Sequence, residues 1–207
     1  MAKKRVAILI SGRGSNMAAL VKAAQADPDF PARIVLVLSN RPEAPGLAFA
    51  AAEGIPAAVV PSKVYGKDRA AFDAAMQAEL ERAGVEIICL AGFMRLLTPE
   101  FCESWSGRMI NIHPALLPSF KGLDTHARAL EEGVKFHGCT THFVTPGMDE
   151  GPIILQAAVP VLDDDTEETL AARVLAEEHR IYPETLRLLA ADRLVVEGRR
   201  VRITPAG

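Results

Sequence analysis

The chain has 207 residues, of which 49% are apolar and 24% charged, and this is enough to bury the core of one globular domain. Its formal net charge is -3 and its Lys and Arg residues form no run, which argues against nucleic acid as a partner. The three cysteines, Cys89, Cys102 and Cys139, lack Cys-x-x-Cys spacing, which excludes a disulfide framework or four-thiolate zinc site and favours a reducing cytoplasm.

The predicted elements alternate between short β-branched strands and longer Ala-rich helices. The first strand is too short for a signal sequence or membrane span, so no membrane partner is expected. The alternation predicts a Rossmann-like α/β fold with three layers, in which a mainly parallel twisted sheet of about seven strands carries helices on both faces. The strands are predicted at residues 5–10, 34–38, 57–60, 86–90, 109–112, 138–144 and 153–159. The helices are predicted at residues 15–26, 45–53, 67–83, 125–132 and 166–191.

The end of the chain is predicted to hold one long helix and a closing hairpin. Asp165 is the expected N-cap of that helix, and Pro183 is expected to kink or end it. Residues 194–196 and 201–203 flank Glu197-Gly198 and read as the hairpin. Because no repeat, linker or low-complexity tract interrupts the pattern, we expect a single domain over residues 1–207.

A glycine-rich turn, Ser11-Gly12-Arg13-Gly14-Ser15-Asn16, joins the first strand to the first helix. Such a turn lets backbone N–H groups approach a phosphate while the helix N-terminus supplies partial positive charge. Met17 stands where a dinucleotide fingerprint needs a small residue, and the Walker ending is missing. The turn therefore predicts a monophosphate site, with a tight turn that needs only glycine geometry as the alternative.

The stretch Asn111-Ile112-His113-Pro114 places an amide and an imidazole on one face of a strand, at its carboxyl end. Ligands of open α/β sheets bind at that end. An amide and an imidazole together can hold a carbonyl oxygen and stabilise the negative charge that it gains when an amine attacks. The pair predicts acyl transfer, and the alternative is a strand-end histidine bonded to backbone.

A turn-rich loop over residues 145–152 carries two carboxylates between two strands. As an acidic surface turn it needs no function. If Asp149 reaches His113, however, the carboxylate favours the imidazolium form and provides a proton relay near neutral pH. Metal ligation by the other histidines is not expected.

Taken together, these motifs resemble the phosphoribosylglycinamide formyltransferase family. The resemblance rests on the glycine turn, Glu178-His179 with Tyr182-Pro183, Asp149 with Gly151-Pro152, and three longer stretches at residues 91–95, 111–118 and 142–145. It implies transfer of a formyl group from 10-formyltetrahydrofolate to the glycinamide amine of 5'-phosphoribosylglycinamide in purine biosynthesis, without a metal. It also implies a phosphate-binding half at about residues 1–105 and a catalytic, folate-binding half at about residues 106–207.

The resemblance also implies a role for particular residues. Asn111, His113 and Asp149 would be the catalytic trio, and Glu178 would orient the amine of the substrate. Asn111 and protonated His113 would stabilise the oxyanion, while Asp149 keeps His113 charged and assists proton transfer. The substrate phosphate would be bound by Gly14, Ser15, Asn16 and Arg69, and the folate by Met94, Arg95, Leu96, Leu97, Thr145, Pro146, Gly147 and Met148.

Three features of the resemblance stay open. Asp124 stands near a position where some relatives carry a histidine, so the roles of Asp124 and His126 are undetermined. The family pattern suggests a cis peptide at Leu117-Pro118. A monomer and a homodimer are both compatible with the sequence.

Other functions compete with this interpretation. The nearest is 10-formyltetrahydrofolate hydrolase, which normally carries an N-terminal regulatory domain for which a first strand at residue 5 leaves no room. Methionyl-tRNA formyltransferase relatives add a C-terminal RNA-binding domain, whereas a short hairpin is expected here. A non-catalytic module that binds a nucleoside monophosphate is the alternative from another class.

Overall fold

The computed structural model describes residues 2–205, which form nine strands and seven helices. The strands are β1 (Lys4–Ile10), β2 (Ala32–Ser39), β3 (Ala57–Val59), β4 (Ile87–Leu90), β5 (Met109–His113), β6 (Phe136–Phe143), β7 (Ile153–Pro160), β8 (Leu194–Glu197) and β9 (Arg200–Ile203). The helices are α1 (Ser15–Ala26), α2 (Gly46–Ala52), α3 (Ser62–Tyr65), α4 (Arg69–Arg82), α5 (Pro99–Ser104), α6 (Thr125–Glu131) and α7 (Glu167–Ala190). Within residues 2–205, no helix is long and apolar enough to cross a membrane.

All nine strands form one sheet in the order β3-β2-β1-β4-β5-β6-β7-β9-β8. The first five strands of that order are parallel to one another. The sixth strand in the order, β6, runs in the opposite direction and pairs antiparallel with both β5 and β7. The predicted number of about seven strands was too low, since β9 of the closing hairpin pairs with β7 and adds two strands to the sheet. The switch at β5 and β6 places an antiparallel neighbour beside Asn111.

Two apolar layers cover the sheet, as a three-layer fold requires. In β1, Val6, Ile8 and Ile10 point into one layer, while Ala7 and Leu9 point into the other. Helices α1 and α7 close the first layer, and helices α4 and α5 close the second. The predicted α/β class is therefore confirmed, and the apolar run of β1 is explained by burial on both faces.

The ends of the helices depart from prediction in a few places. Helix α7 is capped by Thr166, whose hydroxyl accepts from the backbone N–H of Thr169, whereas Asp165 pairs with Arg173. The expected N-cap was thus wrong by one residue. Pro183 does not end α7, because buried side chains from Ile181 to Ala190 continue to pack on the core. The short helices α3 and α5 were not predicted.

Candidate active site

One large cavity opens at the carboxyl ends of β1, β4 and β5. Its volume of about 790 Å³ is within the range of ligand sites in proteins. Most of the predicted site residues line it, namely Asn16, Met94, Arg95, Leu96, Leu97, Asn111, His113, Thr145, Pro146, Gly147, Met148, Asp149 and Glu178. Gly14, Ser15 and Arg69 are not among its lining residues. The chain thus brings together the groups that the sequence assigned to catalysis and to the folate.

Asn111 faces His142, which is its direct neighbour on the antiparallel strand β6. The Nδ1 atom of His142 lies 2.8 Å from the carbonyl oxygen of Phe143, so Nδ1 carries the proton and donates. Burial lowers the pKa of His142, which keeps the ring neutral and leaves Nε2 as an acceptor. That atom lies 3.3 Å from Nδ2 of Asn111. His142 therefore fixes the orientation of the amide, and the second N–H of Nδ2 stays available to a ligand.

His113 lies between two oxygen acceptors at the end of β5. Its Nε2 atom lies 2.9 Å from the carbonyl oxygen of Phe120, and its Nδ1 atom lies 3.5 Å from Oδ2 of Asp149. The predicted approach of Asp149 to His113 is present. Both ring nitrogens of His113 therefore face an oxygen atom of the protein.

Asp149 also joins the two loops that border the cavity. Its Oδ2 atom accepts a hydrogen bond of 2.8 Å from the backbone N–H of Gly122, and Lys121 forms an ion pair of 2.8 Å with Glu150 beside it. The residues that provide the two acceptors for His113 both have left-handed backbones, with φ of 53° at Phe120 and 54° at Asp149. Such angles are costly outside glycine and cluster at functional sites.

The glycine turn has the geometry that anion binding requires. Gly14 has a φ of 74°, and a Cβ atom at this position would lie 2.7 Å from the Met17 side chain. Helix α1 begins at Ser15 as predicted. The backbone N–H groups of Ser15, Asn16 and Met17 donate to no other residue in the described part of the chain. These groups are free to bind an anion at the positive end of a helix of 12 residues.

The residues predicted to bind folate form an apolar opening with polar backbone at its edge. Met94, Leu96 and Met148 are 57%, 57% and 54% exposed although they are large and apolar. The backbone N–H of Met94 donates to the Ser11 hydroxyl over 2.8 Å, which ties this segment to the end of β1. Arg95 lies over the Phe72 ring, with its guanidinium carbon 5.4 Å from the ring centre. A flat aromatic ligand suits such an opening.

Arg69 lies apart from the cavity, whereas Asp124 and His126 are part of its lining. Arg69 is the first residue of α4 and is exposed, and its side chain bonds to no described residue. Asp124 precedes α6 with a φ of 55°, and both it and His126 line the cavity. The Leu117-Pro118 peptide is cis, as the family pattern suggested. Within residues 2–205, no group of three or more His, Cys, Asp or Glu side chains is placed to hold a metal.

Two contributors to the site, His142 and Phe120, were missed by the sequence analysis. Phe120 acts through its carbonyl oxygen, which carries no signal in the sequence. For His142 a signal existed, because it belongs to the stretch at residues 142–145 that carried the resemblance. Its role depends on antiparallel pairing between β5 and β6, which places Asn111 and His142 opposite each other.

The chain is similar in sequence to curated proteins of purine biosynthesis. The chain is 41% identical to phosphoribosylglycinamide formyltransferase of Escherichia coli (strain K12), over 91% of the chain and 88% of that protein. It is 51% identical to a trifunctional purine biosynthetic protein of Bos taurus over 95% of its own length, but it spans only 20% of that protein. The chain thus corresponds to about a fifth of this longer relative.

The fold is also similar to those of solved structures of enzymes that act on formyl groups. Glycinamide ribonucleotide transformylase 1 from Symbiobacterium toebii is 51% identical, with a TM-score of 0.94 over 98% of this chain and 95% of that one. A formyltetrahydrofolate deformylase from Pseudomonas syringae is 28% identical, with a TM-score of 0.90 over 98% of this chain and 66% of that one. The formyl transferase family model matches residues 4–186. The chain therefore belongs to the formyl transferase family, and within it to the phosphoribosylglycinamide formyltransferases.

Proposed function

We propose that this protein transfers the formyl group of 10-formyltetrahydrofolate to the glycinamide amine of 5'-phosphoribosylglycinamide. The products are N-formylglycinamide ribonucleotide and tetrahydrofolate, in the de novo synthesis of purine nucleotides. The observation that carries the proposal is the arrangement of Asn111, His113 and Asp149 in one cavity, beside a helix N-terminus with open N–H groups. One part of this arrangement suits acyl transfer and the other suits a phosphate.

The two substrates have separate places in this proposal. The phosphate binds at the glycine turn through backbone N–H groups and Ser15, and Arg69 adds a positive charge. The folate enters the apolar opening, with residues 94–97 on one side and residues 145–148 on the other. When bound, this co-substrate supplies the formyl group and the N10 leaving group. Glu178 orients the attacking amine from the floor of the cavity.

In the proposed reaction, the amine nitrogen forms a bond to the formyl carbon, and the carbonyl oxygen gains the negative charge. The open N–H of Asn111 donates to this oxygen. His113 adds a second donor when its Nε2 atom exchanges the Phe120 carbonyl for the oxyanion. The carbon–N10 bond then breaks as the carbonyl re-forms. Asp149 assists transfer of the proton lost by the amine to N10, through water, so no proton or electron is left over.

A second candidate is hydrolysis of 10-formyltetrahydrofolate, which the similarity to the Pseudomonas syringae deformylase favours. Both reactions need an oxyanion site for the formyl group, and they differ in the acceptor. Hydrolysis uses water and has no need of a phosphate site. The lower identity of 28%, against 51% for the Symbiobacterium toebii transformylase, favours the amine as acceptor.

The test is formyl transfer from 10-formyltetrahydrofolate, followed through the absorbance of the deformylated product with and without glycinamide ribonucleotide. We expect turnover only when the ribonucleotide is present, with one formylated product for each folate consumed. Turnover without the ribonucleotide and with release of formate would establish the hydrolase instead. Binding of the ribonucleotide without turnover would leave a non-catalytic nucleotide-binding module.

Three further points belong to the proposal. The amino-terminal half binds the phosphate and the carboxyl-terminal half carries catalysis, within one catalytic domain. The reaction takes place in the cytoplasm, where Cys89, Cys102 and Cys139, which are buried and form no disulfide, stay as free thiols. The protein acts as a monomer or homodimer, which sedimentation of the purified protein decides.

A further inference from the structure

Glu178 is a buried carboxylate with a single partner. It lies in α7 with 7% of its surface exposed, and it lines the cavity. Among the described residues, its one hydrogen bond comes from Nδ2 of Asn16 in α1, over 2.6 Å, and it forms no ion pair. Burial raises the pKa of the Glu178 carboxyl above its usual value, and the bond from Asn16 acts in the opposite direction. Asn16 thus favours the charged carboxylate.

The bond to Glu178 fixes which way the Asn16 amide points. Nδ2 of Asn16 is the donor to Oε2 of Glu178, so Oδ1 of Asn16 faces away from the carboxyl group. The Oδ1 atom is buried and has no hydrogen-bond partner in the described part of the chain. A buried acceptor without a partner destabilises the protein, because it has lost its hydrogen bonds to water without replacing them. An N–H group of a ligand in the cavity would relieve this cost.

This orientation removes the Asn16 side chain from the phosphate site. Its Nδ2 group already donates to Glu178, and its remaining amide oxygen, Oδ1, can only accept and would repel a phosphate oxygen. The phosphate keeps the backbone N–H groups of residues 15–17 and the Ser15 hydroxyl. In this arrangement the backbone N–H of Asn16 belongs to the phosphate site, whereas its side chain contacts Glu178 in the cavity.

We propose that Asn16 is the positioning residue for Glu178, which holds the carboxylate in place so that it and Oδ1 of Asn16 accept the N–H groups of the glycinamide moiety. Two acceptors on one side of the amine leave its lone pair directed at the formyl carbon. Asn16 thereby selects and orients the acceptor and does not recognise the phosphate. This inference rests on the proposed function, since it needs an amine substrate.

A double-mutant cycle tests this inference in the full chain. Asn16→Leu removes the amide at similar size, Asn16→Ser is a second variant of lower packing risk, and Glu178→Gln removes the charge. Loss of a charge-assisted bond predicts a decrease of roughly 10- to 100-fold in kcat/KM for glycinamide ribonucleotide in each single variant. Because both residues act as one unit, Asn16→Leu with Glu178→Gln should be within about threefold of the worse single variant.

Ribose 5-phosphate, which lacks the glycinamide, separates the two roles of the turn. Calorimetry should give an affinity for ribose 5-phosphate that Asn16→Leu leaves within about threefold of wild type. The adjacent matched variant Ser15→Ala should weaken the same affinity. Equal weakening by Asn16→Leu and Ser15→Ala, or multiplicative effects of Asn16 and Glu178 variants, would overturn the inference.

The proposed function fails in a different way. If wild-type protein shows no transfer to glycinamide ribonucleotide, the proposed reaction is wrong whatever the variants do. The cycle is then run on calorimetric affinity for glycinamide ribonucleotide, where the same coupling between Asn16 and Glu178 is expected. Absence of that coupling would contradict the role of Asn16 independently of turnover.

Discussion

The glycine turn, which borders the cavity through Asn16, and the catalytic cluster inside the cavity differ in how far the protein satisfies its own polar groups. In the turn, the N–H groups of Ser15, Asn16 and Met17 have no acceptor in the described chain. In the cluster, both ring nitrogens of His113 face oxygen atoms, and His142 holds Asn111. We therefore expect a ligand to complete the turn, whereas the contacts of the cluster are already formed within the protein. Binding and chemistry should respond separately to mutation.

The two halves also differ in their content of histidine. All five histidines, His113, His126, His137, His142 and His179, lie beyond residue 106, and the first half has none. Burial lowers the pKa of His126, His137, His142 and His179. Acid should therefore act first on the half that holds the catalytic cluster.

The largest effect is expected when the cluster loses its imidazole. His113→Ala should decrease kcat roughly 100- to 10,000-fold, the range for loss of an acid–base group. Because the turn is built from other residues, the affinity for glycinamide ribonucleotide should change little. Stopped-flow turnover and calorimetry measure the two quantities. A loss of affinity as large as the loss of kcat would show that the two regions are not separate.

The next largest effects on kcat are expected for Asn111 and His142, because His142 acts through Asn111. Asn111→Ala should decrease kcat about 100- to 1,000-fold, as other single oxyanion donors do. His142→Phe keeps Asn111 but removes the acceptor that fixes its amide, so we expect a smaller decrease, roughly 10- to 100-fold. The double variant should be no slower than Asn111→Ala alone. Independent effects of the two changes would refute the orienting role of His142.

The buried His137 allows a test of how the free energy of unfolding depends on pH. It is 1% exposed, and burial together with the nearby His126 lowers its pKa to about 4. An unfolded histidine titrates near 6.5, so the unfolded chain binds more protons between these values. The free energy of unfolding should therefore fall as the pH falls from 6.5 towards 4, and His137 alone should account for about 2 to 3 kcal/mol of the loss.

Urea unfolding at neutral pH and at pH values below 5 measures this loss. His137→Phe keeps an aromatic ring against Phe120 and His126 but cannot be protonated, so its unfolding free energy should depend less steeply on pH. The matched control is Phe136→His, which places a histidine at an exposed neighbour. Identical pH dependence in wild type and His137→Phe would mean that His137 is protonated without cost.

The smallest effect is expected at the edge of the phosphate site. Arg69→Ala should raise the KM for glycinamide ribonucleotide about tenfold, since an exposed cation contributes little more than that to an anion in water. The KM for 10-formyltetrahydrofolate and kcat should stay near wild type. Initial rates with each substrate varied in turn measure the three constants. Equal rises in both KM values would contradict the placement of Arg69.

The sequence was sufficient where a local pattern decides the structure. The range of α1, the left-handed Gly14 and the common face of Asn111 and His113 all follow from local periodicity and turn chemistry. Helix α5 was missed although Thr98-Pro99 carries both a cap and a first-turn proline, because its six residues are too few for periodicity.

Other features could not be predicted because they depend on distant parts of the chain. The contact between Asn111 and His142 needs the pairing of β5 with β6, and the bond from Asn16 to Glu178 joins residues 162 positions apart. The number of nine strands in the sheet depends on the pairing of the closing hairpin with β7, and the residues of the hairpin alone do not determine this pairing. The reactive residues at the ends of strands could thus be predicted from the sequence, whereas the contacts that position them could not.

The left-handed backbones at Phe120 and Asp149 have a consequence for selection experiments. Such residues cost of order 1 kcal/mol or more of stability, which glycine would recover. Glycine at position 149, however, lacks the carboxylate beside His113. A population selected for heat resistance would drift towards glycine there, and one selected for growth would resist it. Asp192, with a φ of 54° beyond α7, has the same backbone conformation without the conflict, so both selections should accept glycine at that position.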